Sequence, residues 1–319
     1  MAPRDHTLRS WGEQSLIDHI RQWLGAACPP PPYGIGDDCA VLPAPRPGRR
    51  RLVTVDPVIR GRHFDDSVAA SQVARTLLNR NLSDIAAMGG VARQGVVALA
   101  APPELSVTWL RDFFRALGSA AHREGVAIVG GDCTQTTGLL GVWLTLIGEA
   151  PRRPLTRQGA RIGDLVFVTG ALGGSLLGRH VRFQPRLKEG RWLAGRADVR
   201  SATDVSDGLA KDLLPLLPRD ASVVVDPRNV PISAAARHLA QRTGRPALEH
   251  ACNDGEDYEL LFTVSAGRAT TFVIAWHRQF ATRISCIGKI ERRRSRQPLV
   301  RFLPAPAAPV RLCGYEHFR

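Results

Sequence analysis

Five short segments of the sequence place aspartates beside small residues, where a tight turn can present a carboxylate to a ligand. They contain Asp37-Asp38, Asp56, Asp84, Gly130-Gly131-Asp132 and Asp204-Val205-Ser206-Asp207. A single aspartate in a turn usually caps nearby backbone N–H groups, so no one segment is specific. Carboxylates gathered in one cleft repel one another unless a cation neutralises them. The five segments together therefore predict a site for a hard cation, and Mg²⁺ is the natural candidate.

A spread of carboxylates also indicates a polyphosphate ligand. Mg²⁺ binds through one or two carboxylates together with substrate phosphates, so we expect several ions around ATP. The sequence has no GxxxxGK[ST] motif, and Cys39 stands where Gly34-Ile35-Gly36 would need a third glycine to complete GxGxxG. Cysteine and histidine spacings do not fit zinc. The pattern disfavours P-loop enzymes and protein kinases and favours another type of magnesium–ATP site.

The charge of the chain is strongly basic, which by itself favours a nucleic-acid partner. The 319 residues carry a formal net charge of +14, but only three of the 43 basic residues are lysines. This skew indicates an arginine-rich composition, and we interpret the densest run, Arg292–Arg294 with Arg296, as a solvated loop. Aromatic residues make up 6% of the chain and do not alternate with the arginines, which disfavours a stacking surface for bases. We expect no nucleic-acid partner.

The sequence shows no sign of membrane insertion or secretion. It lacks any run of about 18 uncharged apolar residues, and Met1–Trp11 lacks the apolar stretch of a signal peptide. The six cysteines are dispersed singly, as expected for reduced thiols. We therefore expect a cytoplasmic protein with no membrane partner.

Strand and helix patterns alternate along the chain, which predicts an α/β or α+β fold. Apolar spacing predicts a helix over Ser71–Met88, with Asn81 and Asp84 on one face. A second helix is expected over Leu209–Leu217, with Ser206 or Asp207 as its N-cap. The remaining expected elements are the helix Val107–His122 and the strands Cys39–Leu42, Arg51–Asp56, Gly95–Ala101, Val126–Val129, Leu140–Ile147, Leu165–Thr169, Val223–Val225 and Leu260–Val264.

The length of the chain favours two domains. Pro151-Arg152-Arg153-Pro154 resembles a linker, and strand-like sequence restarts at Leu165. We therefore expect domains at residues 1–150 and 151–319.

Nine ordered motifs resemble the thiamine-monophosphate kinase family over about residues 34–318. They are Gly34–Ala40, Thr54–Asp56, Gly61–Phe64, Asn81–Gly89, Gly130–Asp132, Leu155–Arg157, Asp204–Gly208, Gly255–Leu260 and Gly314–Phe318. Several are shared with the wider ATP-binding superfamily of aminoimidazole ribonucleotide synthetase and selenophosphate synthetase.

The resemblance implies a phosphotransferase that moves the γ-phosphate of ATP to thiamine monophosphate, giving thiamine diphosphate. It implies an N-terminal α/β domain that binds ATP and magnesium and pairs with its copy in a homodimer, and a C-terminal α/β domain that completes the active site. The acceptor phosphate is largely ionised near neutral pH, since its second pKa is about 6. Direct in-line transfer without a strong general base is therefore expected.

The resemblance also implies roles for individual residues. Magnesium ligands are expected at Asp38, Thr54, Asp56, Asp84, Asp132, Asp204 and Asp207. Nucleotide contacts are expected from Thr54, Gly131, Asp132, Arg157 and Ser206, and contacts to the thiamine substrate from His63, Glu256 and Tyr315. Asp56, Asp132 and Asp207 are the expected catalytic residues.

Each of these roles has a structural alternative. His63 can be a hydrogen-bonded structural histidine, Arg157 a surface arginine, and Tyr315 a residue that packs the C-terminal tail. Glu256, with Asp257 and Glu259, can belong to a solvated turn.

Several residues depart from the family pattern. Gln135 replaces an arginine, Gly174 stands where aspartate is common, and Asp254 replaces a glycine. Cys313 and Glu316 replace a bulky residue and an aspartate near the C-terminus. Because the changes concentrate near the expected acceptor residues, a superfamily relative with another phosphorylated or oxyacid acceptor, or a weakened nucleotide-binding homologue, is the alternative function.

Overall fold

The computed structural model describes residue 8 and residues 13–30, 33–35 and 42–315, and these form two compact units. The first unit contains the described residues up to Ile85 together with Gly90–Arg152. The second contains Ala86–Gly89 and the described residues from Arg153 onward. Asp38 and Glu316 lie outside the described residues, as does most of the strand expected at Cys39–Leu42.

The first unit is built on a four-stranded sheet. Its strands are β1 (Arg49–Ile59), β2 (Val91–Ala101), β3 (Ala127–Gln135) and β4 (Gly141–Pro151), in the spatial order β1-β4-β2-β3. Strand β4 pairs antiparallel with β1 and β2, whereas β2 and β3 are parallel. The sequence predicts β3 only as far as Val129, but the strand continues through Gly130-Gly131-Asp132 because β2 supplies ladder partners up to Gln135.

Helices α1 (Glu13–Leu24), α2 (Ala70–Ala87) and α3 (Val107–Arg123) accompany this sheet. Helix α3 begins where the Ser106 side chain accepts a hydrogen bond from the backbone N–H of Trp109, at 3.2 Å. The predicted inner face of α3 is confirmed, since Leu110, Phe113, Phe114 and Leu117 are buried.

Strand β1 shows how alternation separates two faces of the sheet. Leu52 and Val58 are buried, and Thr54 and Asp56 between them are half-buried on the same face. Val53 and Val55 point the other way, and their side chains are 66% and 55% exposed. One face of β1 therefore carries polar groups toward α2, and the other presents valines.

The second unit is built on a six-stranded sheet with the order β10-β7-β9-β5-β8-β6. The strands are β5 (Leu165–Thr169), β6 (Val199–Asp204), β7 (Ala221–Val225), β8 (Leu260–Val264), β9 (Ile284–Arg292) and β10 (Val300–Phe302). The β10–β7 pair is parallel and the other pairs are antiparallel. The helices are α4 (Leu187–Ala194), α5 (Leu209–Asp212), α6 (Ala234–Thr243), α7 (Ala247–Asn253) and α8 (Ala269–Gln279).

Both faces of this sheet are buried. Val166 and Val168 of β5 join one apolar cluster, whereas Phe167 between them joins another. Since neighbouring residues of a strand point to opposite faces, the two clusters lie on the two sides of the sheet. Phe167 stacks on its cross-strand partner Phe262 with ring centroids 5.8 Å apart. This double burial explains the continuous apolar runs in β5 and β8.

The predicted α/β class and most elements are confirmed, but the helix expected over Leu209–Leu217 is wrong. The α-helix ends at Asp212, and a short 3-10 turn over Leu214–Leu216 follows. Pro215 lacks an N–H and its ring disfavours continuation of the helix. The expected N-cap is wrong as well, because Gly208 at φ 103° precedes the helix and no side chain caps it.

Within the described ranges, every helix is too short or too polar to cross a bilayer.

Candidate active site

Side chains of α2 hold strand β1 at the positions of Thr54 and Asp56. The Thr54 hydroxyl donates to Asp84 Oδ2. Asn81 Oδ1 accepts the Asp56 N–H at 3.0 Å, and its Nδ2 donates to the carbonyl of Asp56 at 3.4 Å. We call Thr54, Asp56, Asn81 and Asp84 the β1–α2 cluster.

The β1–α2 cluster presents oxygen atoms almost exclusively. Asn81 is fully buried and is engaged with the backbone, whereas Asp56 and Asp84 are half-buried. Arg80 Nη2 lies 3.8 Å from Asp56 Oδ1 and offsets part of the negative charge. Carboxylate and hydroxyl oxygens are the donors that a hard cation takes.

Asp132 stands apart from the β1–α2 cluster on strand β3. The strand order puts β3 at the opposite edge of the sheet from β1, three spacings of about 4.8 Å away. Asp132 is exposed, and its Oδ2 accepts a hydrogen bond from Thr134 at 2.9 Å. Gly131 beside it packs tightly, since an added Cβ would lie 2.2 Å from the Val97 carbonyl oxygen.

His63 is fixed by its own turn. Its Nδ1 accepts the backbone N–H of Ile59 at 3.0 Å, and its own N–H donates to the Ile59 carbonyl at 2.8 Å. Nδ1 therefore acts as the acceptor, which places the ring proton on Nε2. This geometry matches the structural alternative and also orients Nε2.

In the second unit the segment Asp204–Gly208, which we call the β6–α5 turn, is the centre of a backbone network. The N–H groups of Ser206 and Asp207 both donate to Asp212 Oδ2, each at 3.0 Å. The Ser206 carbonyl accepts the Glu256 N–H at 2.8 Å, and the Asp207 carbonyl accepts the Tyr315 N–H at 2.8 Å. Two of the expected acceptor-binding residues are thus attached directly to the turn that carries expected metal ligands.

The charge in and around the β6–α5 turn is dense. Burial raises the pKa of Asp212 to about 7, and the nearby carboxylates of Asp204 and Asp207 add to the rise. Lys211 Nζ lies 2.8 Å from Asp207 Oδ2 and donates to the Tyr315 carbonyl at 2.9 Å. Asp212 and Lys211 are not among the site residues predicted from the sequence, although both lie in the first helical turn after the Asp204–Gly208 motif.

Arg157 is exposed, and its Nε donates to the Thr203 hydroxyl at 3.3 Å. Thr203 precedes Asp204 on β6, so the arginine lies beside the beginning of the β6–α5 turn.

The acidic segment after α7 is not a solvated turn. Asp257 and Glu259 are each only 1% exposed, so that interpretation is wrong for both. Glu259 accepts hydrogen bonds from Arg186 at 2.7 Å and 2.7 Å and from Thr169 at 2.7 Å. Hydrogen bonding to Glu259 raises the pKa of Arg186. Carboxylates buried to this extent require ion-pair or hydrogen-bond partners, because burial otherwise disfavours the charge.

Two departures from the family pattern lie against each other in the structure. Asp254 Oδ2 accepts the Gly174 N–H at 3.0 Å. A carboxylate is thus present at the Gly174 turn although the aspartate common at that position is missing. The sequence alone showed two separate changes, because 80 residues divide them.

Among the described residues, no group of three or more His, Cys, Asp or Glu side chains is arranged to hold a metal ion by itself. The oxygen donors come instead in ones and twos, at Asp56 with Asp84, at Asp132, and at the β6–α5 turn. Mg²⁺ commonly takes one or two carboxylates and completes its shell with phosphate oxygens and water. Each of these groups, taken by itself, supplies the one or two carboxylates that such a magnesium ion takes.

Comparisons with known proteins find similar sequences over most of the chain. Residues 36–150 match the family described as AIR synthase related protein, N-terminal domain. The thiamine-monophosphate kinase of Rhodopirellula baltica is 38% identical over 265 residues, covering 81% of this chain and 83% of the relative.

Two solved structures are similar to this chain over most of its length. The crystal structure of thiamine-monophosphate kinase from Stenotrophomonas maltophilia K279a has a TM-score of 0.73 and 31% identity, covering 90% of this chain and 95% of that one. The structure of AaThiL complexed with AMPPCP and TMP has a TM-score of 0.72 and 27% identity, covering 99% and 100%. The resemblance and the fold expected from the sequence are confirmed.

Gly131 and Gly130 form a matched pair for testing the packing beside Asp132. A Cβ at Gly131 would overlap the Val97 carbonyl, whereas a Cβ at Gly130 meets nothing within 4 Å. We expect Gly131→Ala to lower the free energy of unfolding by about 1–3 kcal/mol. Gly130→Ala should change it by less than about 0.5 kcal/mol. Urea unfolding measures both, and equal effects would contradict the tight β2–β3 packing.

Asp257 makes a pH-dependent contribution to stability. Burial raises the pKa of this carboxyl from 3.8 to about 7, although Ser175, the Gly173 N–H and Arg179 favour its charged form. Because the folded protein holds this proton more tightly than the unfolded chain does, protonated Asp257 stabilises the fold, fully so below about pH 4. This stabilisation is lost as the pH rises through about 7. Relative to Asp257→Asn, the wild-type free energy of unfolding should fall by about 2 kcal/mol from pH 5 to pH 8.

Urea unfolding at the two pH values measures this difference, with Asp220→Asn, the same change at an exposed aspartate, as the control. Arg179 and Glu259 are the charged groups that act on Asp257. A wild-type-to-variant difference that is the same at both pH values would show that Asp257 is already ionised at pH 5.

Proposed function

The chain belongs to the thiamine-monophosphate kinase family, and we propose that it transfers the γ-phosphoryl group of ATP to thiamine monophosphate. The products are thiamine diphosphate and ADP. The similar structure of AaThiL in complex with AMPPCP and TMP supports this substrate pair, since AMPPCP is an ATP analogue. The observation that carries the proposal is the β6–α5 turn, whose two carbonyls hold the backbones of Glu256 and Tyr315.

Magnesium is the proposed cofactor because the candidate ligands are hard oxygen donors. When bound, it supplies charge neutralisation for the phosphates of donor and acceptor. In the first unit the ligands would be Asp38, Thr54, Asp56, Asp84 and Asp132, and in the second unit Asp204 and Asp207. Asp56, Asp132 and Asp207 are the proposed catalytic residues.

The residues of the chain bind and orient the substrates rather than exchange protons with them. The acceptor phosphate is largely ionised near neutral pH, because its second pKa is about 6. Positioning and charge stabilisation are then sufficient for direct in-line transfer. Thr54, Gly131, Asp132, Arg157 and Ser206 are proposed to contact the nucleotide.

His63, Glu256 and Tyr315 are proposed to contact the thiamine substrate. A carboxylate at Glu256 complements the thiazolium cation of that substrate. The Tyr258 hydroxyl donates to Glu256 Oε2 at 3.0 Å and thereby restricts this carboxylate.

The two units have distinct proposed roles. Residues 1–150 would bind ATP and magnesium and form the dimer, and residues 151–319 would complete the active site. We place the protein in the cytoplasm, where ATP is made. The cysteines found as free thiols in the described residues, Cys28, Cys133, Cys252, Cys286 and Cys313, agree with a reducing compartment.

A homodimer formed through the first unit is proposed from the outer face of its sheet. Val53 and Val55 on β1 are exposed and stand opposite Ile147 and Thr145 of β4. Ile147 and the neighbouring Trp143 are half-exposed. An apolar sheet face of this kind is typical of a surface that pairs with a second copy.

The catalytic proposal predicts formation of thiamine diphosphate from ATP, Mg²⁺ and thiamine monophosphate. Chelation of the metal should abolish turnover, and Asp132→Asn should lower kcat by about 100-fold or more because charge stabilisation is lost. Asp220→Asn, the same change at an exposed aspartate, should leave the rate unchanged. Chromatography of the products measures each rate, and no thiamine diphosphate above the Asp132→Asn level would refute the proposal.

The dimer proposal predicts that two charges on β1 separate the copies. The wild-type chain should have the mass of a dimer in light scattering, and Val53→Lys/Val55→Lys should have that of a monomer because buried charges oppose association. Ile274→Lys places the same charge at another exposed apolar residue, on α8, and should remain dimeric. A monomeric wild type, or a dimeric double variant, would contradict this interface.

A further inference from the structure

The backbone around Glu256 adopts a conformation that requires support. Gly255, Glu256 and Tyr258 have φ values of 69°, 57° and 51°. For residues other than glycine the left-handed region costs about 1 kcal/mol or more each. Such a conformation persists only where surrounding contacts determine it, so the contacts on either side of Glu256 are informative.

Asp254 provides the contact on the N-terminal side. Its Oδ2 accepts the Gly174 N–H at 3.0 Å, and its two oxygens lie 3.0 Å and 3.1 Å from His250 Nδ1. His250 is 1% exposed, and its Nε2 lies 2.8 Å from the Thr243 hydroxyl. The imidazole therefore bridges the carboxylate to the end of α6 and fixes its orientation.

Asp257 provides the contact on the C-terminal side. Its carboxylate accepts the Gly173 N–H at 2.9 Å and 3.0 Å and the Ser175 hydroxyl at 2.5 Å. The two carboxylates that flank Glu256 thus bind neighbouring N–H groups of one turn. We call Asp254 and Asp257, with the N–H groups of Gly173 and Gly174, the carboxylate clamp.

The turn to which the clamp attaches is rigidly placed. Gly173 and Gly174 have φ values of 84° and 71°, and a Cβ on either would come within 2.7 Å of backbone atoms of Ala251 or Ala235. The turn therefore packs against α6 and α7 without room to shift. A segment fastened to it at two points has little freedom between those points.

Glu256 lies between the two points and is held on its other side as well. Its N–H donates to the Ser206 carbonyl at 2.8 Å, and the Tyr258 N–H donates to the Val205 carbonyl at 2.8 Å. The Tyr258 ring stacks on Phe183 with centroids 4.0 Å apart, and its hydroxyl donates to Glu256 Oε2. Backbone and carboxylate of Glu256 are both fixed.

We infer that Asp254 and Asp257 are positioning residues that set the affinity for the cationic, phosphorylated acceptor by holding Glu256 in its left-handed conformation. The inference rests on the proposed function, in which Glu256 contacts the acceptor. Asp254 does not contact the substrate in this role; it acts through the clamp. Removal of the Asp254 carboxylate should weaken binding of the acceptor and leave binding of the nucleotide unchanged.

Steady-state kinetics with Asp254→Ala and Asp254→Asn test the inference. Asp254→Ala should raise KM for thiamine monophosphate about tenfold, which corresponds to about 1.4 kcal/mol. KM for ATP should stay within about twofold of the wild-type value. Asp254→Asn keeps an oxygen that can accept the Gly174 N–H and should recover most of the loss. Glu249→Gln, on α7 but outside the clamp, should behave as wild type.

A double-mutant cycle separates positioning from general damage. If Asp254 acts through Glu256, then Asp254→Ala in a Glu256→Gln background should raise the acceptor KM by less than twofold further. The inference would be overturned if the two changes raised KM for thiamine monophosphate by factors that multiply. It would also be overturned if Asp254→Ala raised KM for ATP and KM for thiamine monophosphate in parallel.

Hydrogen exchange tests the clamp without relying on turnover. The amides of Glu256 and Tyr258 should exchange at least tenfold faster in Asp254→Ala than in wild type, while strands β5 and β8 keep their protection. Unchanged exchange would refute the clamp even if the chain is an active kinase. Faster exchange in a chain that makes no thiamine diphosphate would refute the proposed function and leave the clamp supported.

Discussion

The acceptance of two successive backbone N–H groups by the Asp212 carboxylate is the interaction on which the β6–α5 turn depends. It fixes the peptide that carries Ser206 and Asp207, and the carbonyls of the same residues hold the Glu256 and Tyr315 backbones. The interaction has a cost, since a buried carboxylate near Asp204 and Asp207 has a pKa of about 7. Backbone dipoles offset that cost without using a cationic side chain.

The first unit uses a side-chain amide for a comparable purpose. Among the strands that the structure describes, β1 lies at the edge of its sheet and pairs with β4 alone. Asn81 accepts the N–H of Asp56 and donates to its carbonyl, as a neighbouring strand would. An amide can do both because it carries a donor and an acceptor. This explains why an asparagine, and not an aspartate or glutamate, occupies this helix position.

In both units a buried polar residue holds the backbone while more exposed oxygen atoms face outward. Full burial of Asn81 contrasts with half-burial of Asp56 and Asp84, and Asp257 and Glu259 are more deeply buried than Glu256. Buried charges need specific partners, which rigidify the structure when they are satisfied. Neighbouring acids in one motif thus divide into fully buried and partly exposed groups, as Asp257 and Glu256 illustrate.

Much of the fold follows from local sequence. The apolar spacing of α3 predicts its buried face, and the glycines after α2 predict its end, because helical and extended backbones repeat at 3.6 and 2 residues. The order of the acidic motifs indicates oxygen-ligand phosphate chemistry. The helix that begins at Leu209 is shorter than its apolar spacing predicts, and Pro215 lies in the 3-10 turn that follows it.

Tertiary structure alone decided which acids are buried and which partners they meet. Asp254 and Gly174 are 80 residues apart in sequence, and Thr169 and Glu259 are 90 apart, yet each pair is in hydrogen-bond contact. Whether a carboxylate binds a ligand or a backbone N–H depends on its desolvation and on the partners brought to it. The sequence by itself determined the elements and the class of chemistry, because local backbone geometry and side-chain type are local properties. The roles of individual acids are not local, since they depend on distances that only the folded chain establishes.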